Sequence, residues 1–352
     1  MTALALKTPE TTNEPPRLAV TGLVRACAAA AIASLDGTSV AGTLQRNWSR
    51  DNFADLIVRA PVSPIDLSSP LTRTIMPSFL AALAPASAAA SLFATGLRLS
   101  FDGAGQINIP TIIADPNYAS FAGSGAPIQI TQGFVEPLIT LTPYKIDAIV
   151  VLTNEMVRSS NVEAFMRDAL ICSTALALDF AFFDSTPASS ARPAGLRSGI
   201  AAASASAAPD PLAALIDDIE TLNGGVVAVT PTHPVFIMSI RRVLTAQLLS
   251  LHGLAPLQLF GTYALAGTKD MIALSSDAIV SVAGVMPEIS VVKEATLHMA
   301  APALELVDSP GTVVAPSRSL WQTDCTAIKV RLPVSWGLRT PQGVAWLTAT
   351  HW

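Results

Sequence analysis

Residues 97–145 constrain this fold more than any other stretch. Leu97, Leu99 and Phe101 alternate with Arg98, Ser100 and Asp102. A turn follows at Asp102-Gly103, and alternation resumes from Gln106 to Ile112, which predicts a hairpin. The next segment, ADPNYASFAGSGAPIQITQGFVEP, is turn-rich and weakly patterned; strand character returns from Leu138 to Leu152. The whole is an extended, mostly uncharged excursion of roughly fifty residues, a length at which loops are commonly functional. It cannot bury its apolar residues against itself, so it has to lie on something else.

Composition points the same way. Hydrophobic residues make up 51% of the chain and charged residues 13%, against about 25% charged in an ordinary soluble domain. Much of the surface is therefore expected to meet a membrane or other copies of the chain. The membrane candidate is residues 74–97, TIMPSFLAALAPASAAASLFATGL, uncharged and flanked by Arg73 and Arg98. About 20 apolar residues span a bilayer. Here Pro77 and Pro85 interrupt the stretch and small residues dominate it, so packing against protein is the expectation. The opening MTALALKTPETTNEPPR is Thr/Pro-rich and reads as a flexible arm, not a signal peptide. Net charge is −5 and Arg241-Arg242 is the only adjacent basic pair, which argues against a sequence-reading nucleic-acid binder. Cys27, Cys172 and Cys325 are odd in number and far apart; they suggest neither a disulfide framework nor a metal knuckle, and fit a reducing cytoplasm.

Helical signals flank the excursion. Residues 17–35 read as an Ala-rich helix closed by Asp36-Gly37, with a short helix near Asp51–Arg59. After the excursion, Thr153 or Asn154 can cap one turn, and Ser159-Ser160-Asn161 a longer helix. Val162, Phe165, Ala169, Cys172, Leu176, Phe180 and Phe183 recur at spacings of three and four and predict one buried stripe. That helix would be ~33 Å long at 1.5 Å per residue, with Glu163 and Arg167 as an i, i+4 pair on its flank. Residues 185–211 are low-complexity Ala/Ser/Pro and read as a linker or flexible loop. Asp210 caps a helix from Pro211 to Leu222; then come strands VVAVT and VFIMS, a helix from about Ile240 to Leu251, and short strands to about Val292. In IKVRLPVSWGLR, Ile328 to Leu338 put alternate residues in the core, and Lys329, Arg331, Pro333, Ser335, Gly337 and Arg339 on a wet or partner-facing side. Pro333 predicts an edge strand.

Signals for catalysis are thin. Ala122-Gly123-Ser124-Gly125-Ala126 lacks the outer glycines of a nucleophile elbow, and there is no G-x-G-x-x-G, Walker loop or H-E-x-x-H. His233, His252, His298 and His351 are scattered. Glu155, Glu163 and Asp168 have no convergent His or Lys for acid–base work, and Asp217-Asp218 reads as a solvated helix face. No cofactor, metal or catalytic residue is expected.

The order of these segments resembles the major capsid proteins of tailed phages, the Hong Kong 97-like fold. The carriers are the long loop, then LTPYKIDAIVVLTNEMVRSSNVEAFMRDALICSTALALDFAFFDS with its Asp179–Asp184 end, then HPVFIMSIRRVLTAQLL, TKDMIALSSDAIVSVAG and QTDCTAIKVRLPVSWGLRTPQGVAWLTATHW. The likeness covers about residues 60–352. It implies an α+β chain with an N-terminal arm (1–70), a small-residue segment (71–96), an extended β-hairpin loop (97–145), a peripheral domain with a long spine helix (146–211), an axial α/β domain (212–300), and closing strands of the peripheral domain with a C-terminal return (301–352). It implies a non-enzymatic shell protein, forming pentamers and hexamers of an icosahedral head in the host cytoplasm. The implied partners are scaffold, prohead protease, portal and, non-specifically, packaged double-stranded DNA, with no membrane. Loop residues Asp102, Asp115, Tyr118, Phe121 and Glu136 are expected between subunits. Glu155, Arg158, Glu163 and Arg167 are expected in intersubunit or local ion pairs, and Lys329, Arg331 and Arg339 on the closing strand's wet face. No lysine occurs from Leu97 to Tyr144, so no loop-lysine crosslink is expected. A same-fold cellular nanocompartment shell and, in another class, a cytoplasmic α+β hydrolase using the Ser124 loop remain as alternatives.

Overall fold

The computed structural model describes residues 16–59, 79–101, 105–112, 124, 134–159, 161–226, 234–249, 257–284, 287–298, 307–308, 312–313 and 317–352. Three helices lead: α1 (Pro16–Asp36), α2 (Val40–Trp48) and α3 (Asn52–Arg59). α1 buries Ala26, Cys27, Ala28, Ala29 and Ala31 almost completely. Its small side chains let neighbouring backbones come close. At Gly22 an added Cβ would lie 2.5 Å from Phe53 Cβ. Gly37, at φ +64°, ends the helix in the left-handed region. α2 was not expected; Ser39 caps it by accepting from the Gly42 amide at 3.1 Å. Residues 1–70 were expected as an arm, yet Val20, Leu23, Leu44, Phe53 and Ile57 belong to the main core. The reason is their apolar faces, which pack on the chain's own long helix and sheet.

Two five-stranded sheets form the body, making the chain α+β. The first holds β1 (Leu97–Ser100), β4 (Tyr144–Thr153), β9 (Ile279–Ala283), β10 (Glu288–Val292) and β15 (Cys325–Leu338). β15 pairs antiparallel with β4 from Cys325↔Thr153 to Val334↔Tyr144. Its other edge is taken by β10 up to Arg331 and by β9 from Val334. The predicted alternation holds from Ile328 to Val334, but β15 is central. Pro333 sits where β10 has ended and β9 has not begun, so its missing N–H breaks no ladder there; its carbonyl accepts from the Gly284 amide at 2.8 Å. β1 pairs in parallel with β9. The hairpin is therefore not β1 with its successor. It is β2 (Ile107–Ile112) with β3 (Phe134–Leu141), in register from Ile107↔Leu141 and shifted after Pro110.

The second sheet runs β5 (Ala203–Ser204), β16 (Val344–Thr348), β8 (Met271–Leu274), β6 (Val235–Ser239), β7 (Leu259–Thr262). Every residue of β6 and β8 is buried, as suits strands covered on both faces. β9 and β10 were expected in the axial unit and β16 in the peripheral closure. Pairing puts the first two beside β15 and the last beside β8. Two small ribbons, β11 (Thr296–His298) with β14 (Ser317–Ser319) and β12 (Val307–Asp308) with β13 (Thr312–Val313), complete the strands among the described residues.

α4 (Ala88–Thr95) and the long α6 (Val162–Phe182) touch both sheets, and the short α5 (Asn154–Arg158) packs against β4, β15 and α1. α7 (Pro211–Gly225) and α8 (Ile240–Leu249) flank the second sheet. The described part of residues 74–97 is core: Phe79, Leu83, Leu92 and Phe93 are buried. Among the described residues, no single helix is long and apolar enough to cross a membrane.

Of residues 185–211, read as a linker or flexible loop, the part from 185 to 202 is a strap pinned to both sheets. Trp336 Nε1 donates to the Ala194 carbonyl and Trp346 Nε1 to the Ile200 carbonyl, each at 2.9 Å. An added Cβ at Gly195 would run into the Asp184 backbone, so only glycine lets the strap lie this close. Asp218 is likewise buried, not solvated. It accepts from the Ser206 amide at 2.6 Å and from Trp352 Nε1 at 2.7 Å.

Candidate functional site

α6 is the element around which the candidate residues gather. Thr153 caps α5, accepting from the Met156 amide at 3.3 Å. Asn161 stands at the α6 N-cap without a side-chain cap bond. The buried face is Val162, Met166, Leu170, Leu178 and Phe182, where Phe93, Phe183 and Trp336 surround Phe182 with ring centroids 5.0–5.6 Å away. The stripe predicted as core is mostly the opposite face. Phe165 is 47% exposed, Leu176 42% and Phe180 54%, and Cys172 is exposed. From Ala169 to Leu178 the helix carries no charge, so this outer face is apolar for more than two turns.

The inner end of α6 is organised by Asp179, which is buried. Its carboxylate accepts from Ser87 Oγ at 2.5 Å, from the Ala88 and Ala89 amides at 3.2 and 3.0 Å, and from Thr262 Oγ1 at 2.7 Å. Ser87 in turn caps α4, accepting from the Ala90 amide. A carboxylate at a helix N-terminus meets orphan amides and the positive end of the dipole. One side chain thus ties α6 to α4 and to β7. Its place in the Asp179–Asp184 segment was legible; its partners, 83 to 92 residues away, were not.

At the other end, Glu163 accepts from Arg167 at 2.9 Å and from Arg25 of α1 at 3.3 Å, while Arg25 also reaches Asp51 at 3.0 Å. This network holds the leading helices on α6. Glu155 and Arg158 are exposed and form no ion pair among the described residues. Asp102, Asp115, Tyr118 and Phe121 lie outside the described residues; Glu136 lies in β3.

On the wet face of the first sheet, Arg331 reaches Asp147 through two nitrogens at 2.8 and 3.2 Å and Glu288 at 3.4 Å; Lys329 stands 3.6 Å from Asp147. Arg339 departs from this face: the alternation is lost from Ser335 onward, its Nε is buried without a hydrogen-bond partner among the described residues, and its amide donates to the Ala278 carbonyl at 2.7 Å. The hydrogen bond from Arg331, helped by the nearby Lys329, holds the Asp147 carboxyl below its usual range. A depressed carboxyl contributes stability above its unfolded value and loses it as pH falls through the folded one. Urea unfolding is expected to show a small loss of midpoint on acidification below about pH 4. The loss is small because these groups face solvent. Arg331→Met should remove this acid dependence; an unchanged acid limb in that variant would contradict the assignment.

Among the described residues, no group of three His, Cys, Asp or Glu side chains could hold a metal. Ser124 is exposed and its sequence neighbours lie outside the described residues.

No family model matches the sequence, and no curated protein matches it significantly. Solved structures do resemble it. A chain of the satellite phage P4 procapsid including size determination (Sid) protein is 9% identical, covering 86% of this chain and 97% of that one, with a TM-score of 0.48. A Microbacterium phage Oxtober96 chain is 17% identical over 74% and 90%, TM-score 0.46. A chain of the holo-SrpI encapsulin complex from Synechococcus elongatus PCC 7942 is 11% identical over 72% and 84%, TM-score 0.42.

Proposed function

We propose that this chain is a non-enzymatic shell protein of the Hong Kong 97-like kind, self-assembling into pentamers and hexamers of a phage head around double-stranded DNA. One observation carries the reading. From Ala169 to Leu178 the long helix that frames the body is apolar on both faces, and among the described residues only one face is covered. A surface left that way is an interface. The β2–β3 hairpin supports the reading, and so does the order of motifs that resembles tailed-phage capsid proteins. In this reading Asp102, Asp115, Tyr118, Phe121 and Glu136 face a neighbouring subunit, and Glu155 and Arg158 pair across a subunit boundary. Scaffold, prohead protease and portal are its assembly partners in the host cytoplasm, and the virion capsid is its destination. DNA contact is non-specific, in keeping with an acidic chain.

The full chain, expressed alone, should elute as megadalton shells or as discrete pentamers and hexamers by size exclusion, with matching rings or shells in negative stain. A chain that stays monomeric at high concentration, with scaffold added, overturns the reading. A same-fold cellular nanocompartment shell is the second reading, and shells that package protein rather than nucleic acid would favour it.

A further inference from the structure

Trp321 is 76% exposed, the most exposed large hydrophobic side chain among the described residues. The turn that carries it is fixed. The Cys325 amide donates to the Leu320 carbonyl at 3.0 Å, and Thr323 Oγ1 to the Ser319 carbonyl at 2.9 Å. Asp324 sits at φ +48°, in the left-handed region that Asp visits more readily than most non-glycine residues. Asn154 anchors it there. Its amide donates to the Asp324 carbonyl at 3.0 Å and its Nδ2 to Asp324 Oδ1 at 2.5 Å, while Thr326 Oγ1 donates to Asn154 Oδ1 at 2.6 Å. A turn fixed in this way has little backbone entropy left to lose on binding.

Asn154 also opens α5, and just beyond it lies a groove of about 610 Å³ between α1, α2 and the start of α6. Ile32, Leu35, Trp48 and Val162 give it apolar walls, and Asp36 and Arg158 stand among its lining residues. These are the groups an indole needs: apolar walls for the ring, an acceptor for a donor-only N–H, and a cation for the ring face. Trp321 does not line this groove in its own chain.

We propose that Trp321 of one copy seats in the α1–α2–α6 groove of a second copy. Knob and hole lie on different patches of the same chain. Repeated head-to-tail, the contact closes into a ring when the rotation between copies permits. Arg158 thereby gains its role across a subunit boundary, over the neighbour's indole. The inference rests on the shell reading above.

The test uses the full chain with benzoylphenylalanine at position 321, assembled from equal parts of isotope-labelled and unlabelled protein and irradiated. Adducts are expected between copies, on residues 32–48 or 157–162. In parallel, Trp321→Ala should raise the concentration at which assembly begins by at least about tenfold, as the loss of a buried aromatic anchor does. Trp321→Phe should restore part of it. Because the side chain is exposed, the thermal midpoint of the unassembled chain should not move. Shells that form with adducts elsewhere, or with an unchanged threshold in Trp321→Ala, overturn this contact and leave the shell reading standing. Failure of the wild-type chain to assemble at all overturns both.

Discussion

Asp179→Ala is expected to cost about 4 kcal/mol of folding stability, since it strands several buried donors at once, each worth about 1–3 kcal/mol when left unpaired. The carboxylate is buried and accepts from two hydroxyls and two amides. No described neighbour replaces it, because the donors come from Ser87, the first turn of α4 and Thr262, which meet only at this oxygen pair. Asp179→Asn should cost less but still a large fraction, since its amide NH2 points a donor at donors. The urea midpoint should fall for both while the denaturant slope stays constant, the mark of lost stability without altered compactness. A loss under about 1 kcal/mol for the alanine variant would mean that water substitutes for the carboxylate.

Arg197→Ala should be comparably damaging, at about 3–5 kcal/mol, the usual result of stripping one partner from a buried ion pair. Arg197 Nη1 lies 2.6 Å from Asp270 Oδ2, with side chains only 12% and 9% exposed. Arg197 Nε also donates to the Phe183 carbonyl at 2.9 Å, and its guanidinium lies 4.8 Å from the Trp346 ring centroid. Thr348 Oγ1 occupies the other Asp270 oxygen at 3.0 Å. These contacts fasten the 185–202 strap to the end of α6 and to β16. The double variant Arg197→Met/Asp270→Asn removes both charges and should be markedly more stable than Arg197→Ala alone. If it is not, the damage comes from lost packing of the strap and not from a stranded charge.

The two sites differ in how far the sequence announces them. Strand β15 was legible because its alternation from Ile328 to Val334 matches one buried face, and α1 because Asp36-Gly37 marks its end. The long helix was legible as a helix, but its core face was not. Phe165, Cys172, Leu176 and Phe180 repeat as regularly as Val162, Met166, Leu170 and Phe182. Periodicity names an axis, and where both faces are apolar it does not say which is covered by the same chain. Pro333 misled for a related reason. A missing donor implies an edge only when one partner strand runs the whole length, and β15 changes partner beside it. The strap and Asp218 were misread because Ala/Ser/Pro composition and paired acids look solvated until long-range partners, Trp336, Trp346 and Trp352, are placed. Trp321 carried no local signal at all; only its exposure distinguishes it.

The pairing of β4 with β15 also sets a timetable. Thr153 and Cys325 are register partners, about 170 residues apart. At roughly 5–20 residues per second of synthesis, β4 waits on the order of 10–30 s for its mate to emerge. Until then YKIDAIVVLT is an unpaired, strongly β-forming segment, the kind that associates wrongly with other nascent chains. Lys145 and Asp147 interrupt it with charge, as gatekeepers do. Having stood guard during the wait, Asp147 then meets Arg331 when the late strand arrives. The sheet that frames the finished subunit is thus among the last parts able to close, and a cell producing many copies at once would need to keep that open edge apart from its neighbours.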